Sequence, residues 1–364
     1  MTWSESGNGV KTLLKSGKTF CIILSILSLA ILLPGCGNAL ETADLAALAE
    51  NSIKAPEPKP ENGQLVFRLA DYWPGDYPPV LGDKEFARLV EERSGGKLKI
   101  IVYSDAVMGD EQSVIEQVQL GGIDFARVNS APLVGVSNKL GVLCLPYLFR
   151  DSGHVWDVLL GPIGDELLES LKPGGIDGLA YYDSGARSFY TKVPISDISV
   201  LKGLRIRVQY SDPSTNFIKL LGATPVPLNF GDVYNALQKD EIDGAENNWS
   251  SYYTSGHYRL AGYYLLDEHT RNPEVLLASS KVMESLPAEY REIITSSARD
   301  SVEFQREAWK TNEKKSEDLI RKYGAVVTNI SGSDKELIQT IIAPMYEKYD
   351  KEYKDLIERI KNTK

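Results

Sequence analysis

The spacing of apolar positions changes along the chain, and the changes mark out elements. Leu65-Val66-Phe67-Arg68-Leu69-Ala70 predicts a strand. Lys84 to Glu92, with Phe86, Leu89 and Val90 on one stripe, predicts a helix. Lys97 to Tyr103 predicts a strand, Glu111 to Leu120 a helix with Val114, Ile115 and Val118 on one face, and Ile123 to Val128 a short strand. Alternation of this kind points to α/β architecture with mostly parallel sheets. The pattern then recurs at an offset of 119 residues, pairing Val114/Val233, Val118/Leu237, Gln119/Gln238, Ile123/Ile242, Asp124/Asp243 and Ala126/Ala245. Upstream, Leu98-Lys99-Ile100 answers Leu204-Arg205-Ile206. Either two generic βα units match by chance, or the chain builds two related lobes around a shared crevice. In the second case ligand contacts belong just past the Ile-Asp turns, at Arg127-Val128-Asn129 and Glu246-Asn247-Asn248. Open parallel sheets bind ligands beyond the carboxyl ends of their strands. Ala288 to Lys322 contains no Pro or Gly and predicts one long helix or two abutting ones. The charged tail from Pro344 to Lys364 predicts a surface helix.

Length and charge narrow the classes. A chain of 364 residues suggests roughly two domains. With 43% apolar and 25% charged residues, the composition is that of ordinary globular proteins and argues against wholesale disorder, a collagen-like repeat and a coiled-coil rod. The balance of 40 basic and 50 acidic residues gives a net charge of −10, which disfavours nucleic acid and anionic lipid as partners of the whole chain. Three cysteines cannot form a disulfide framework.

The first 62 residues stand apart. Lys11, Lys15 and Lys18 precede a nearly unbroken apolar run from Phe20 to Leu33, which is too short to span a bilayer and fits a signal peptide over residues 1–35. The exit Leu33-Pro34-Gly35-Cys36 resembles a bacterial lipobox, although Pro34 departs from the usual pattern. Cys36 is therefore the expected lipid attachment site, with cleavage a few residues later as the alternative. Residues 36–62, with alternate prolines at Pro56, Pro58 and Pro60, predict an extended tether holding the body outside the cytoplasmic membrane, in the periplasm or at the cell surface. Cys144, in an apolar run, reads as a buried structural thiol.

No nucleophile elbow, phosphate loop or dinucleotide-binding turn occurs in the sequence, and His154, His257 and His269 are too scattered for metal-ligand spacing. The expectation is a protein that is not an enzyme and carries no cofactor or metal. A secreted lipid-anchored enzyme and a sensor partner are the alternatives from other classes. What the residues do offer is arginine. Leu204 to Gln209 has period 2, with Leu204, Ile206 and Val208 on one face and Arg205 and Arg207 on the other. A guanidinium within a covered sheet needs a partner, and its planar fork fits a carboxylate. Arg207 is thus either an anchor for an acidic ligand or half of a structural ion pair. Arg187 follows a glycine-containing turn. Phe230 and Trp73, on loops near Gly and Pro, suit either a stacking wall or local packing.

Six segments, Gly109–Val128, Leu145–Asp151, Tyr182–Phe189, Leu201–Val208, Gly222–Pro227 and Ile242–Trp249, resemble in order the solute-binding subunit of tripartite ATP-independent periplasmic (TRAP) transporters. The likeness runs from about Val66 to about Ala298. It implies a two-lobed periplasmic-binding-protein fold with hinge strands and a lobe-spanning helix. Lobe I is expected over 63–184 plus 273–312, and lobe II over 185–272 plus 313–364. It also implies a cleft for an organic acid, membrane transporter subunits as partners, and Arg207 as the carboxylate clamp. Arg187 and Asn247 match further motif positions, Phe230 is expected against the ligand body, and Arg127 at a ligand-facing position that varies among relatives. Gln209, Trp73 and His269 complete the candidate set. The segments Glu246-Asn247-Asn248-Trp249 and Asp267 to Arg271 resemble family versions associated with sugar acids, so a hexuronate such as glucuronate or galacturonate is expected, with a C4-dicarboxylate as the runner-up.

Overall fold

The computed structural model describes residues 63–364; the signal-peptide, Cys36 and tether expectations lie outside the described residues. Two sheets form the body. The first holds β1 (Leu65–Ala70), β2 (Leu98–Tyr103), β3 (Phe125–Asn129), β4 (Ile176–Tyr182) and β10 (Glu274–Ser279), in the order β2-β1-β3-β10-β4. The second holds β5 (Arg187–Thr191), β6 (Arg205–Val208), β7 (Thr224–Pro227), β8 (Gly244–Asn247), β9 (Tyr263–Thr270) and β11 (Val326–Asn329), in the order β11-β9-β5-β8-β6-β7. Every antiparallel pairing involves β5 or β10. These are the strands entered by crossing from the other sheet, through residues 183–186 and 271–273. The home strands end at the crossing side, whereas an incoming strand begins there, so it must run against its neighbours.

The internal repeat is real in three dimensions, but its strands correspond differently from the match of Leu98-Lys99-Ile100 with Leu204-Arg205-Ile206. β6 lies between β7 and β8 as β1 lies between β2 and β3, so the counterpart of β6 is β1 rather than β2. The turns make the equivalence chemical. Asp124 accepts from the backbone N–H of Arg68 at 2.7 Å and from its Nε at 3.3 Å. Asp243 accepts from the same two groups of Arg205 at 2.8 and 3.0 Å. Each Ile-Asp turn thus secures the start of the central strand of its own lobe. Insertions between strand and turn differ in length, which is why one offset could not align both.

Local signals place the helices. Glu111–Leu120 starts where Asp110 accepts from the Ser113 N–H and stops at Gly121, whose φ of +80° favours glycine. Between these ends Val114, Ile115 and Val118 are buried, as the periodicity requires. Ala288–Lys322 is one helix of 35 residues, about 52 Å at 1.5 Å per residue. It packs on helix Pro78–Arg93 and β4 beside the first sheet and on helix Trp249–Thr254 beside the second. The tail forms helix Gly332–Asn362, kinked at Tyr353. Its charged face is outward, while Ile338, Ile342, Met345, Tyr349, Leu356 and Ile360 are buried. It lies against helix Asp212–Leu220 and also against helix Pro162–Glu169 and the turn Asn138–Cys144, so it touches elements packed on both sheets.

The crossing at 183–186 is tightly held. Gly185 has φ +62°, and a Cβ there would lie 2.3 Å from the Glu313 carboxylate of the long helix. Gln305 of the same helix accepts from the Asp183 N–H at 2.7 Å and donates to the Asp183 carbonyl at 2.9 Å. The long helix therefore holds the crossing as well as spanning the lobes.

Candidate functional site

Arg207, the penultimate residue of β6, is buried at the crevice end of its strand. Its Nε and Nη2 both donate to the carbonyl of Leu228, just past β7, at 3.0 and 2.7 Å. Among the described residues it makes no ion pair. Burial lowers its pKa, opposed by Glu246 and assisted by Arg187 nearby. A guanidinium remains charged even so, and one side of this one is left without a carboxylate.

Arg187, the first residue of β5, is equally buried but is engaged by β8 through four of its five guanidinium hydrogens. It donates to the Glu246 carboxylate through Nε and, at 2.9 Å, through Nη2. Nη2 also reaches the Glu246 carbonyl at 2.7 Å, and Nη1 reaches the Asn247 side-chain oxygen at 2.9 Å. The antiparallel pairing of β5 with β8 creates these contacts. Arg187 is thus chiefly partnered within its own lobe, and it fixes the Asn247 amide so that the oxygen faces Arg187 and the NH2 is left to donate elsewhere.

His269 extends this lattice. Its Nδ1 meets Asp267 at 2.9 Å and its Nε2 lies 3.5 Å from Glu246. Burial disfavours the charged ring, but Asp267 and Glu246 outweigh it and hold the His269 pKa up at about 9. Burial likewise raises the pKa of Glu246, yet Arg187 and His269 bring it down to about 2. His269 stacks on Phe189 at 4.3 Å between centroids and is paired with Asp267 and Glu246 beneath the site. Linkage gives a pH profile. The His269 contribution is complete below its unfolded value of 6.5 and is lost as pH rises through about 9. The Glu246 contribution is complete above its unfolded value of 4.5 and is lost as pH falls through about 2. Both are therefore complete between 4.5 and 6.5. We expect the melting temperature of the wild type to fall from pH 6 to pH 10 more steeply than that of His269→Gln; parallel curves would remove His269 from the account.

Arg127 is placed otherwise than expected. It is wholly buried on β3, with Nε on Asp71 at 2.8 Å, Nη2 also on Asp71, and Nη1 on Glu274 at 2.6 Å. The Tyr72 ring covers its guanidinium at 4.5 Å. Two acids of its own lobe neutralise it, so it is a structural centre and not a cation open to a ligand. Asp83 lies beside this cluster, and burial together with Asp71 pushes its carboxyl well above the usual range. Asn129 binds Glu274 through its side chain at 3.0 Å and Glu111 through its backbone N–H at 2.7 Å. Burial and Glu274 raise Glu111 to about 7, against the pull of the Asn129 N–H, Arg127 and Arg207.

The lobes meet through aromatic rings. Trp73, from the loop after β1, lies 4.5 Å from Phe230, from the loop after β7, and stacks on Tyr77 at 4.0 Å. Asn229 donates to Asp110 at 2.9 Å, and the Tyr77 and Ser251 hydroxyls are 2.9 Å apart. The lobes are closed on each other here. The Trp73 indole N–H is buried in this wall with no partner among the described residues. Gln209 accepts from Asn272 at 3.2 Å and so joins β6 to the second crossing. Cys144 is buried, and burial lifts its thiol to about 12, in keeping with an inert side chain. Sequence reasoning missed Glu111, Tyr72 and Tyr77; Glu111 opens a helix and the two tyrosines sit in a loop, so no periodicity marks them.

Two α/β lobes joined by paired crossings, with an unneutralised arginine buried between them, define a binding protein that closes on a small solute. The sequence matches bacterial extracellular solute-binding protein family 7 over residues 69–352, and the chain belongs to this family, the solute-binding subunits of TRAP transporters. A TRAP periplasmic solute-binding protein from Xanthobacter autotrophicus, solved with bound β-D-galacturonate, is 42% identical, with a TM-score of 0.79 over 82% of this chain and 100% of that one. A counterpart from Roseobacter denitrificans, solved with β-D-glucuronate, is 32% identical, with a TM-score of 0.79 over 82% of this chain and 100% of its own. The C4-dicarboxylate-binding protein of Bacillus subtilis is 30% identical, covering 79% of this chain and 83% of that protein. Proteins of this family are extracytoplasmic binders that work with membrane subunits and are not enzymes.

Proposed function

We propose that the closed cleft captures a hexuronate, galacturonate or glucuronate, by its carboxylate, and hands it to a TRAP membrane transporter. The single observation behind this reading is Arg207, buried and without a carboxylate partner among the described residues. The ligand carboxylate takes the open side of its fork. Asn247, oriented by Arg187, donates to the ligand, and Phe230 and Trp73 cover the sugar ring from opposite lobes. Contacts from both lobes favour the closed state over the open one. Micromolar binding corresponds to about −8.2 kcal/mol, within reach of charged hydrogen bonds at about 1.5–3 kcal/mol each plus buried ring area.

A monoacid fits better than a dicarboxylate because Arg127 is already neutralised by Asp71 and Glu274, and Glu111 adds an acid on the facing wall. Lobe I, 63–184 plus 273–312, and lobe II, 185–272 plus 313–364, move about the two crossings. Export by residues 1–35 and a lipid on Cys36 with the 36–62 tether keep the protein at the membrane that holds its partner. A thermal-shift panel tests the substrate. Galacturonate and glucuronate should each raise the melting temperature while succinate and malate do not; stabilisation by the dicarboxylates alone sinks the uronate reading.

A further inference from the structure

A cavity of about 480 Å³ opens between the lobes away from the arginine cluster. Its volume falls in the range of small-molecule sites. Asp76 and Tyr77, from the loop after β1, form one side, Tyr253, Tyr258 and Arg259 another, and Lys315 of the long helix the third. None of Arg207, Arg187, Asn247 or Phe230 lines it. The border is Tyr77, which stacks on Trp73 and meets Ser251 across the interface, so the cavity has all its walls only when the lobes are closed.

Its chemistry is that of a receptor for an anion with an apolar face. Tyr253 and Tyr258 stack at 5.8 Å with an interplanar angle of 13°, presenting a tyrosine surface. Arg259 lies over the Tyr258 ring at 5.6 Å, and its one side-chain hydrogen bond among the described residues is to the Tyr258 hydroxyl at 3.2 Å. It makes no ion pair with a carboxylate among the described residues. Lys315 makes no ion pair among the described residues. Two uncompensated cations thus face the cavity against one carboxylate, that of Asp76, in a chain whose net charge is −10. The local field is the reverse of the global one. Planar rings cover the C–H faces of a sugar, and a guanidinium and an ammonium take its carboxylate.

We propose that this cavity is a second, weaker site for a sugar acid, distinct from the Arg207 cleft and completed by lobe closure. Both cations are exposed, so screening limits their pull and the affinity falls on the order of millimolar. A ligand there would bind preferentially to the closed protein and hold it closed.

Isothermal titration of the full exported chain with D-galacturonate, carried past saturation of the tight phase, tests this. D-galactose and sodium acetate at matched ionic strength are the controls. The expected result is a second saturable phase with galacturonate that neither control gives. The Arg259→Ala/Lys315→Ala double variant should weaken that phase about tenfold while leaving the tight phase unchanged. No second phase in the wild type, an equal phase with galactose or acetate, or an unaltered phase in the double variant would each overturn the site. If the uronate reading of the Arg207 cleft fails instead, the tight phase is the one missing, and the galacturonate titration repeated with the cleft saturated by the acid that the thermal-shift panel identifies reads the second phase and its dependence on Arg259 and Lys315.

Discussion

Arg207→Ala should lose stabilisation by galacturonate while melting, without ligand, at close to the wild-type temperature. Truncating one member of a buried charged pair costs about 2–5 kcal/mol, roughly 30-fold to several thousand-fold in affinity. The ligand-free protein gives up little. The two hydrogen bonds of Arg207 end on one carbonyl, that of Leu228, and burial already works against its charge. Calorimetric titration alongside thermal melts separates the two effects. A variant that retains the wild-type ligand shift would show that the carboxylate is held elsewhere, and Arg187, with its remaining Nη1 hydrogen, would be the first place to look.

Arg127→Ala should have the opposite signature. Removing this guanidinium leaves Asp71 and Glu274 buried with no cation, next to Asp83. Breaking a buried ion cluster in this way costs about 3–5 kcal/mol. For a domain of this size that is a fall in melting temperature on the order of ten degrees. Galacturonate affinity of the folded fraction should stay within a few-fold, because Arg127 points its donors at its own lobe. Normal stability with a large loss of affinity would instead restore the ligand-facing role that the sequence suggested.

The two arginines show where sequence reasoning holds and where it stops. Strand and helix positions were legible because burial imposes a period on them: helix Glu111–Leu120 runs over the span its apolar stripe and glycine exit mark. The long helix was legible as a stretch without breakers, although only packing on both lobes made it one piece. The repeat was legible in its Ile-Asp turns and misaligned in its strands, since the lengths between them differ while the Asp-to-strand contact does not. The tail read as a solvated helix because its charges dominate composition; its buried stripe shows once helices from both sides supply something to pack on.

By itself the sequence determined the α/β elements, the recurrence of the Ile-Asp turn, the family and the arginines at 127, 187 and 207. It could not determine which of these cations is spent. Asp71 and Glu274 stand 56 and 147 residues from Arg127, and Glu246 stands 59 from Arg187. Charges neutralise through space, and partners so remote leave no periodic or local trace. Only the tertiary structure, by running β5 and β10 against their neighbours, brings acids onto two of the guanidinium groups and leaves the third with a carbonyl and an open side.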